Sequence, residues 1–408
     1  MYIGLKSGIM KFCYLFYIIS GFLFIGCSTS GRNTNEQSEL IIIDFEQCYN
    51  TEQPMFLSEI ADTVEYIELI TPRDIVITNI RTVVDVDDFL IFPAQHQAYL
   101  FHKNGQFITK IGSMGQGPGE YVVLSDLEFD FKKKEIIISD LSKLLFYDMG
   151  GKFLRSRKME TFRMGISDSI LWMGDVIRSI DRHKYLAFAN SLYENGDSIA
   201  CIPNSHYGKV TTYGPTTYTT SPYTKFFYYK NDSLHFKGDV SNDTIWKISG
   251  VNAMPYAYID MGKYKLPLKY QPWVSEAEYE RNKHNGYWIV PSLVEDDNFF
   301  YLTSYNLYII PGTRKFIEMK YAVYDKKREK AFSTKDQYGF GITDDILGGP
   351  PFFPRWISND YYINTIEGHE LLEQVKAGDY TPSPSLKELL SRIDEDTNQL
   401  LILCRRKK

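Results

Sequence analysis

Short apolar runs of five to seven residues recur along the chain, and Gly, Asn, Asp and Lys residues separate them. Runs of this length between turn-forming residues predict β-strands joined by tight turns. The 31 Tyr and 26 Phe residues support this interpretation, because aromatic side chains favour pleated strands. The pattern predicts an all-β fold.

Two segments repeat this pattern with an offset of 46 residues (136 − 90 = 46). They are "LIFPAQHQAYLFHKNGQFITKI" (90–111) and "IIISDLSKLLFYDMGGKFLRSR" (136–157). In both, two apolar runs flank a polar corner, and a glycine and a phenylalanine follow. Gly105 aligns with Gly151, and Phe107 aligns with Phe153. Repeats of about this length, built from four short strands, are typical of β-propeller blades.

Weaker copies of the unit follow towards the C-terminus. Residues 226–248 predict three strands, residues 287–304 with 316–332 predict four, and residues 350–366 predict the first two strands of another unit. Six units over the last 382 residues (408 − 26 = 382) give about 64 residues each, which implies insertions. The third unit, within 170–212, is the least regular, and seven blades remain an alternative.

Isolated strands near both ends predict how the ring closes. A propeller leaves no edge exposed, so we expect residues 40–45 (LIIIDF) and 399–406 (QLLILCRR) to complete the last blade, one from each terminus. Two helical segments precede the C-terminal strand, "GHELLEQVKAG" and "SPSLKELLSRIDED". The second carries apolar residues at helical spacing, namely Leu386, Leu389, Leu390 and Ile393.

Residues 1–26 have the pattern of an export signal. Lys6 and Lys11 precede an apolar run of 14 residues, 12–25, which is shorter than the roughly 20 residues that span a membrane. The run ends in "FIGC", which resembles the lipobox of bacterial lipoproteins, where the cysteine that follows cleavage carries a lipid, here Cys27. An ordinary secretory signal is the alternative. Residues 27–39 predict a flexible tether, and residues 40–408 predict a single propeller domain.

The charge and the cysteines limit the classes of partner and site. Cleavage after residue 26 removes two lysines and no acids, so the net charge changes from −6 to −8 (−6 − 2 = −8). An acidic chain argues against nucleic acid and anionic lipid headgroups as partners. Cys48, Cys201 and Cys404 have no metal-binding spacing, so we expect buried thiols with at most one disulfide.

Four ordered motifs carry a resemblance to a family: "IGSMGQGPGEY", "SNDTIWKI", "TDDILGGPPFFPRW" and "LKELLSRIDEDTNQLLILCRR". They resemble the six-bladed β-propeller lipoproteins of Gram-negative anaerobes, relatives of the NHL-repeat propellers. The resemblance covers nearly the whole chain after the signal. It implies the fold and an outer-membrane lipoprotein, facing either the periplasm or the cell surface, but it implies no activity.

Strand direction predicts where a ligand site lies. Strands alternate within a blade, so the connections after second and fourth strands all emerge on one side of the ring, which we call the even side. The Gly-Pro corners at 112–121 and 344–351 both follow fourth strands. Candidate ligand-binding residues on this side are Gln116, Glu120, Asp344, Asp345, Arg355, Arg163, His96 and Asp140.

Each candidate has a plainer alternative. Glu120 and Asp344 could cap N–H groups of their own loops, the arginines could pair with these acids, and His96 could be a solvated turn residue. We expect Glu120, Asp344 and Asp345 to crowd the channel mouth, where a cation or a cationic ligand group would relieve their repulsion.

The sequence offers few signs of catalysis. It has no HExxH, GxSxG or phosphate-loop motif, and "GQGPGE" lacks the Lys-Ser/Thr pair and the helix of such loops. The favoured hypothesis is a monomeric, noncatalytic, lipid-anchored binding or scaffold propeller without a cofactor, engaging a glycan, a peptide or an envelope protein. The alternative is a Ca- or Zn-dependent lyase or hydrolase related to NHL propellers, with metal in the channel.

Overall fold

Six sheets, each built on four antiparallel strands, form a ring in this protein, whose structure is a computed structural model. The structure describes residues 40–140, 142–159, 161, 163–174, 185–194, 198–203, 227–238, 242–266, 286–306, 319–335, 339, 341–378 and 380–407. The predicted signal peptide, the tether and Cys27 lie outside the described residues. The predicted all-β, six-bladed propeller is confirmed.

The described part of the chain begins with an N-terminal segment, and the blades follow in sequence order. The segment contains β1 Ile41–Asp44, α1 Phe45–Asn50, α2 Leu57–Ile60 and β2 Ala61–Ile67. Blade 1 contains β3 Val84–Val86, β4 Phe89–Ala94, β5 Gln97–His102 and β6 Phe107–Ile111, followed by the short β7 Ser113–Met114 and β8 Glu120–Tyr121. Blade 2 contains β9 Asp126–Asp130, β10 Glu135–Asp140, β11 Lys143–Tyr147 and β12 Phe153–Lys158.

The remaining blades follow the same plan. Blade 3 contains β13 Arg163–Ser167, β14 Ile170–Gly174, β15 Tyr185–Ser191 and β16 Ala200–Pro203. Blade 4 contains β17 Phe227–Lys230, β18 Ser233–Phe236, β19 Thr244–Ser249 and β20 Asn252–Asp260, and a 3-10 helix, Gly262–Tyr264, follows it. Blade 5 contains β21 Trp288–Glu295, β22 Phe299–Asn306, β23 Met319–Asp325 and β24 Lys330–Ser333. Blade 6 contains β25 Trp356–Ile357, β26 Tyr361–Ile366, β27 Leu400–Arg406 and, from the N-terminal segment, β2.

The first strand of each blade lies nearest the axis of the ring. First strands of successive blades contact one another, from β9 to β13, β17, β21 and β25. Residues at the start of a first strand are therefore at the mouth of the channel on the even side.

The repeat offset of 46 residues is visible in the backbone. A β-bulge interrupts the pairing of β5 with β6 at Leu100 and Phe101, and an equivalent bulge lies 46 residues later at Phe146 and Tyr147. In the turn that follows each bulge, the aligned glycines have positive φ: Gly105 has φ +89°, and Gly151 has φ +79°. These conformations favour glycine, which explains why the turn glycine recurs.

The predicted partner of the C-terminal strand was wrong in one respect. Strands from both termini do share blade 6, but β27 pairs antiparallel with β2, not with residues 40–45. Residues of β1 instead pair parallel with β20 and add a fifth strand to blade 4. Local pattern could not reveal this choice, because β1 (IIID) is the more apolar run, β2 (ADTVEYI) contains several polar residues, and the partner is set by distant parts of the chain.

Both predicted C-terminal helices are confirmed as α3 Gly368–Ala377 and α4 Pro384–Leu390. Ser383 caps α4 by accepting a hydrogen bond from the Leu386 N–H at 3.3 Å, with proline in the first turn, as the sequence predicts. Leu371, Leu386 and Leu389 are buried against blade 6. Among the described residues, no helix is long and apolar enough to cross a bilayer.

The core lies between neighbouring blades, so each sheet buries both faces. In β27, Leu400, Ile402 and Cys404 pack in one cluster, whereas Leu401 and Leu403 pack in the other. This two-sided burial explains why central strands read as continuous apolar runs rather than as alternating ones. Cys48, Cys201 and Cys404 are all free, with only Cys201 exposed.

Candidate functional site

Strand order places all eight predicted site residues on the even side of the ring. Gln116 and Glu120 lie between β6 and β9. Asp344, Asp345 and Arg355 lie between β24 and β25. His96 lies in the turn from β4 to β5, where it is exposed, and Asp140 ends β10. The remaining residue, Arg163, begins β13. The predicted direction of these connections is therefore consistent with the strand order.

The Gly-Pro corner at 112–121 is a shaped turn that Glu120 stabilises. Its strands β7 and β8 pair parallel, and the Oε2 atom of Glu120 accepts a hydrogen bond from the Gly117 N–H at 2.7 Å. The Tyr147 hydroxyl donates to the Gly119 carbonyl at 3.0 Å and anchors the corner to blade 2. Gln116 is exposed at the tip. These contacts agree with the plainer alternative, in which Glu120 caps an N–H group of its own loop.

Gly119→Ala is expected to destabilise the protein by about 1 to 3 kcal/mol. Gly119 has φ +75°, and a Cβ atom there would lie 2.8 Å from the Cβ of Phe153. Gly117→Ala is the matched control, because a Cβ at that position would meet only the flexible Glu120 side chain, at 3.0 Å. Urea denaturation measures the free energy of unfolding of both variants. Equal losses of this free energy would contradict the role of Gly119 in the turn.

Asp344 and Asp345 have structural partners away from Glu120. The Asp344 carboxylate accepts from the N–H groups of its own loop at 2.8 to 3.2 Å, those of Ile346, Leu347 and Gly349. Burial raises its pKa above the usual range. Asp345 accepts from the N–H of Ser58 in the N-terminal segment at 2.9 Å, and also from the Ser58 hydroxyl.

The predicted group of three carboxylates is therefore not assembled as a cation site. Glu120 belongs to the connection between blades 1 and 2, whereas the Asp344 charge acts on Tyr66 and Cys404 in the outer strands of blade 6. Among the residues that the structure describes, no group of three or more His, Cys, Asp or Glu side chains could hold a metal ion. The acids are used to cap loops, which sequence spacing does not distinguish from ligand binding.

Asp140 and Arg355 are likewise held by neighbouring groups. The buried Asp140 carboxylate accepts from the N–H groups of Val122 and Val123 at 3.1 and 3.2 Å, and Lys143 lies 3.8 Å away. The Arg355 guanidinium lies 4.5 Å from the centre of the Trp356 ring.

A charged cluster that includes one predicted residue lies at the even-side mouth. Arg81, just before β3, donates through Nη2 to the Leu124 carbonyl at 2.8 Å. Arg163 donates through Nη1 to the next carbonyl, that of Ser125, at 3.0 Å. Asp126, at the start of β9, accepts from the Met164 N–H at 2.9 Å. Blades 1, 2 and 3 thus each contribute one charged residue, Arg81, Asp126 and Arg163.

The charges of this cluster influence one another. Burial and the neighbouring Arg163 guanidinium lower the pKa of Arg81 below its usual range. Loss of hydration raises the pKa of Asp126, and the Arg163 charge and hydrogen bonds oppose that rise. Sequence reasoning missed Arg81, Ser125 and Asp126. Alignment of the residues at the starts of first strands could have found them, because these positions share the mouth.

Comparison with protein families settles what the chain is related to. Residues 40–405 match the family described as Domain of unknown function (DUF4934). The chain belongs to this family. No curated protein matches the chain significantly.

Several solved structures are similar to this DUF4934 protein. A protein from Bacteroides fragilis NCTC 9343, described as exported, has a TM-score of 0.64 and 18% identity, over 91% of this chain and 100% of that one. The WD40 domain of Neurospora crassa Pan2 has a TM-score of 0.37 and 10% identity, over 71% and 75%. BamB from Moraxella catarrhalis has a TM-score of 0.34 and 10% identity, over 66% and 65%. Of these three structures, the first has a TM-score above 0.5 and supports the fold.

The opposite side of the DUF4934 propeller, where first and third strands end, has an open polar pocket of about 440 Å³. Turns of blades 4, 5 and 6 line it, with Asp232, Asp297 and Asn359 exposed. Two of its cations are bonded to backbone carbonyls, since Arg406 donates to Ser358 at 2.9 Å and Lys407 donates to Ser58. We call this the odd-side pocket. It was not predicted, because its acids and amides have the composition of ordinary hairpin turns.

Proposed function

We propose that this protein is an exported, lipid-anchored and noncatalytic binding propeller that engages a glycan, a peptide or a partner protein at the even-side mouth. The propeller fold supports a binding or scaffold role, because its ring brings residues from several blades to one mouth. NHL-like ancestry and an outer-membrane location come from the sequence resemblance.

One observation carries the choice of the even side. The Oγ atom of Ser125 and the Nε atom of Arg81 are buried there and have no hydrogen-bond partner among the described residues. A buried polar group without a partner costs stability, so such groups indicate a place where a ligand or water completes the bonding. In the odd-side pocket, Asn231 Nδ2 donates to Asp297 Oδ1 at 2.8 Å, and the Tyr362 hydroxyl donates to Asp296 at 2.6 Å.

Two observations support export and anchoring. Residues 1–27 resemble a signal with a lipobox cysteine, and the similar protein from Bacteroides fragilis is described as exported. A diacylglycerol on Cys27 would supply two acyl chains. Together with a flexible tether of polar residues, it would hold the propeller at the membrane while leaving its sides accessible.

Cys27→Ser is expected to release the protein from the membrane. Without the thiol no lipid can be attached, so the variant should move from the membrane fraction to the soluble fraction. Cys48→Ser serves as the control, because it keeps the lipobox. Membrane fractionation of cells producing each variant measures this, and retention of the Cys27 variant would contradict the lipoprotein proposal.

A binding screen tests the proposed function itself. Residues 40–408 would be screened against glycan and peptide arrays, and each hit would be titrated into Arg163→Gln and Asp232→Asn. We expect the even-side variant to weaken binding at least tenfold and the odd-side variant to leave it unchanged. A hit that depends on Asp232 but not on Arg163 would overturn the even-side assignment, and the absence of any hit would overturn the binding role for these classes.

A further inference from the structure

Exposed apolar side chains accompany the buried polar groups of the even-side mouth. Met114, Val122 and Val123 lie in the connection between blades 1 and 2 and are 59%, 52% and 39% exposed. We call these three residues the apolar strip. The same connection continues through Leu124 to Ser125, whose hydroxyl is buried without a partner among the described residues. Exposed apolar surface and unsatisfied polar groups therefore follow one another along a single chain segment.

The backbone that carries the apolar strip is held by neighbouring groups. The Asp140 carboxylate accepts from the N–H groups of Val122 and Val123 at 3.1 and 3.2 Å. The preceding residue, Tyr121, is fully buried and pairs with Met114 in the parallel strands β7 and β8. A ligand that binds here has little backbone freedom left to remove, so the entropic cost of binding is low.

The unsatisfied polar groups beside the apolar strip are hydrogen-bond donors. Ser125 is 3% exposed, and neither its hydroxyl nor the buried Nε–H group of Arg81 has a partner among the described residues. Arg81 is fixed next to the same chain segment, because its Nη2 atom donates to the Leu124 carbonyl at 2.8 Å. A guanidinium N–H can only donate and a hydroxyl can donate, so carbonyl oxygens of a ligand would satisfy both groups.

We propose that the ligand of the even side is a polypeptide segment that packs apolar side chains on the apolar strip and directs backbone carbonyl groups to Ser125 and Arg81. This proposal rests on the even-side binding function and names its ligand class. An extended polypeptide places apolar side chains and carbonyl groups next to one another, as the site requires. A glycan would instead bury hydroxyl groups against three aliphatic side chains, which offer them no hydrogen bond.

Paired peptides test the ligand class. An array of acetylated and amidated octapeptides would be probed with residues 40–408, and each peptide would also be made in a form in which serine replaces every Leu, Ile, Val, Met and Phe. We expect peptides that bind at least tenfold more tightly than their serine forms, because burial of an apolar side chain favours binding by more than a hydrogen-bonded hydroxyl does. An array without any such peptide would overturn the proposal.

Two double variants locate the apolar contact. Met114→Gln/Val122→Thr makes two exposed positions polar and should weaken binding of these peptides at least tenfold. The control, Val251→Thr/Met254→Gln, changes the same residue types at positions of blade 4 that are 43% and 62% exposed, and it should leave binding unchanged. Equal losses in the two double variants, or no loss in the first, would overturn the proposal.

The outcomes separate this inference from the even-side function on which it rests. A glycan whose binding is weakened by Arg163→Gln but not by Met114→Gln/Val122→Thr would overturn the polypeptide ligand and leave the even-side function intact. Peptides whose binding depends on Asp232 instead of Arg163 would overturn both. Ser125→Ala removes only a hydroxyl and should weaken the same peptides about two- to tenfold, as expected for the loss of one hydrogen bond. An unchanged affinity in this variant would overturn the carbonyl contact.

Discussion

Deletion of residues 396–408 is expected to abolish cooperative unfolding. β27 lies between β26 and β2, so its loss leaves β2 without a partner strand, leaves β26 paired only with β25, and opens the ring at blade 6. Its five core residues, Leu400 to Cys404, are each at most 5% exposed and belong to two separate core clusters. Their removal eliminates apolar contacts on both faces of blade 6. Circular dichroism during heating should show a broad, noncooperative change.

A deletion of residues 40–44 is the control for this effect. It removes β1, which lies at the outer edge of blade 4 and buries only Ile43 fully. The shortened protein should keep a single cooperative transition at a lower temperature. A chain without residues 396–408 that melts like the intact protein would show that β27 does not close the ring. Equal damage from both deletions would favour closure through residues 40–45, as the sequence alone predicted.

Asp296→Ala is expected to destabilise the protein by about 3 to 5 kcal/mol. The carboxylate of Asp296 is 2% exposed and accepts from the N–H groups of Asn298 and Phe299, each at 2.7 Å. It also accepts from the Tyr362 hydroxyl at 2.6 Å and the Tyr301 hydroxyl at 3.1 Å, so it connects blades 5 and 6. Alanine leaves these buried donors without an acceptor.

The next residue provides a matched control. Asp297 accepts from Asn231 at 2.8 Å and pairs with Lys230 at 3.7 Å, but its side chain is 63% exposed. Asp297→Ala should therefore lower the free energy of unfolding by less than about 1 kcal/mol. Guanidinium denaturation of the two variants separates a buried structural acid from a surface acid in the same turn. Comparable losses for the two would contradict the structural role of Asp296.

The fold could be predicted because it depends on local sequence features, and the strand pattern among them recurs from blade to blade. The aligned glycines, Gly105 and Gly151, and the recurring apolar runs report turn geometry and strand burial within one blade. The cap at Ser383 is encoded within four residues of the helix that it begins. Each of these features depends on neighbours in sequence, and the four-stranded unit itself recurs in all six blades.

Closure and the charged mouth depend on residues that are distant in sequence. β2 and β27 pair across more than 300 residues, and the local pattern favours the more apolar β1 as the partner. Arg81 meets Arg163 only because consecutive blades bring the starts of β3, β9 and β13 to one place. Conversely, Glu120 and Asp344 are on the predicted side but accept hydrogen bonds from their own loops. Residue type and spacing alone do not separate a capping acid from a binding one.

The most direct test of the even-side binding site is a crystal structure of residues 40–408 with the glycan or peptide that binds most tightly in the array screen. The proposed function predicts that this ligand lies within hydrogen-bonding distance, about 3 Å, of residues at the even-side mouth, beside Arg163. A ligand bound instead in the odd-side pocket beside Asp232 and Asn359 would contradict it.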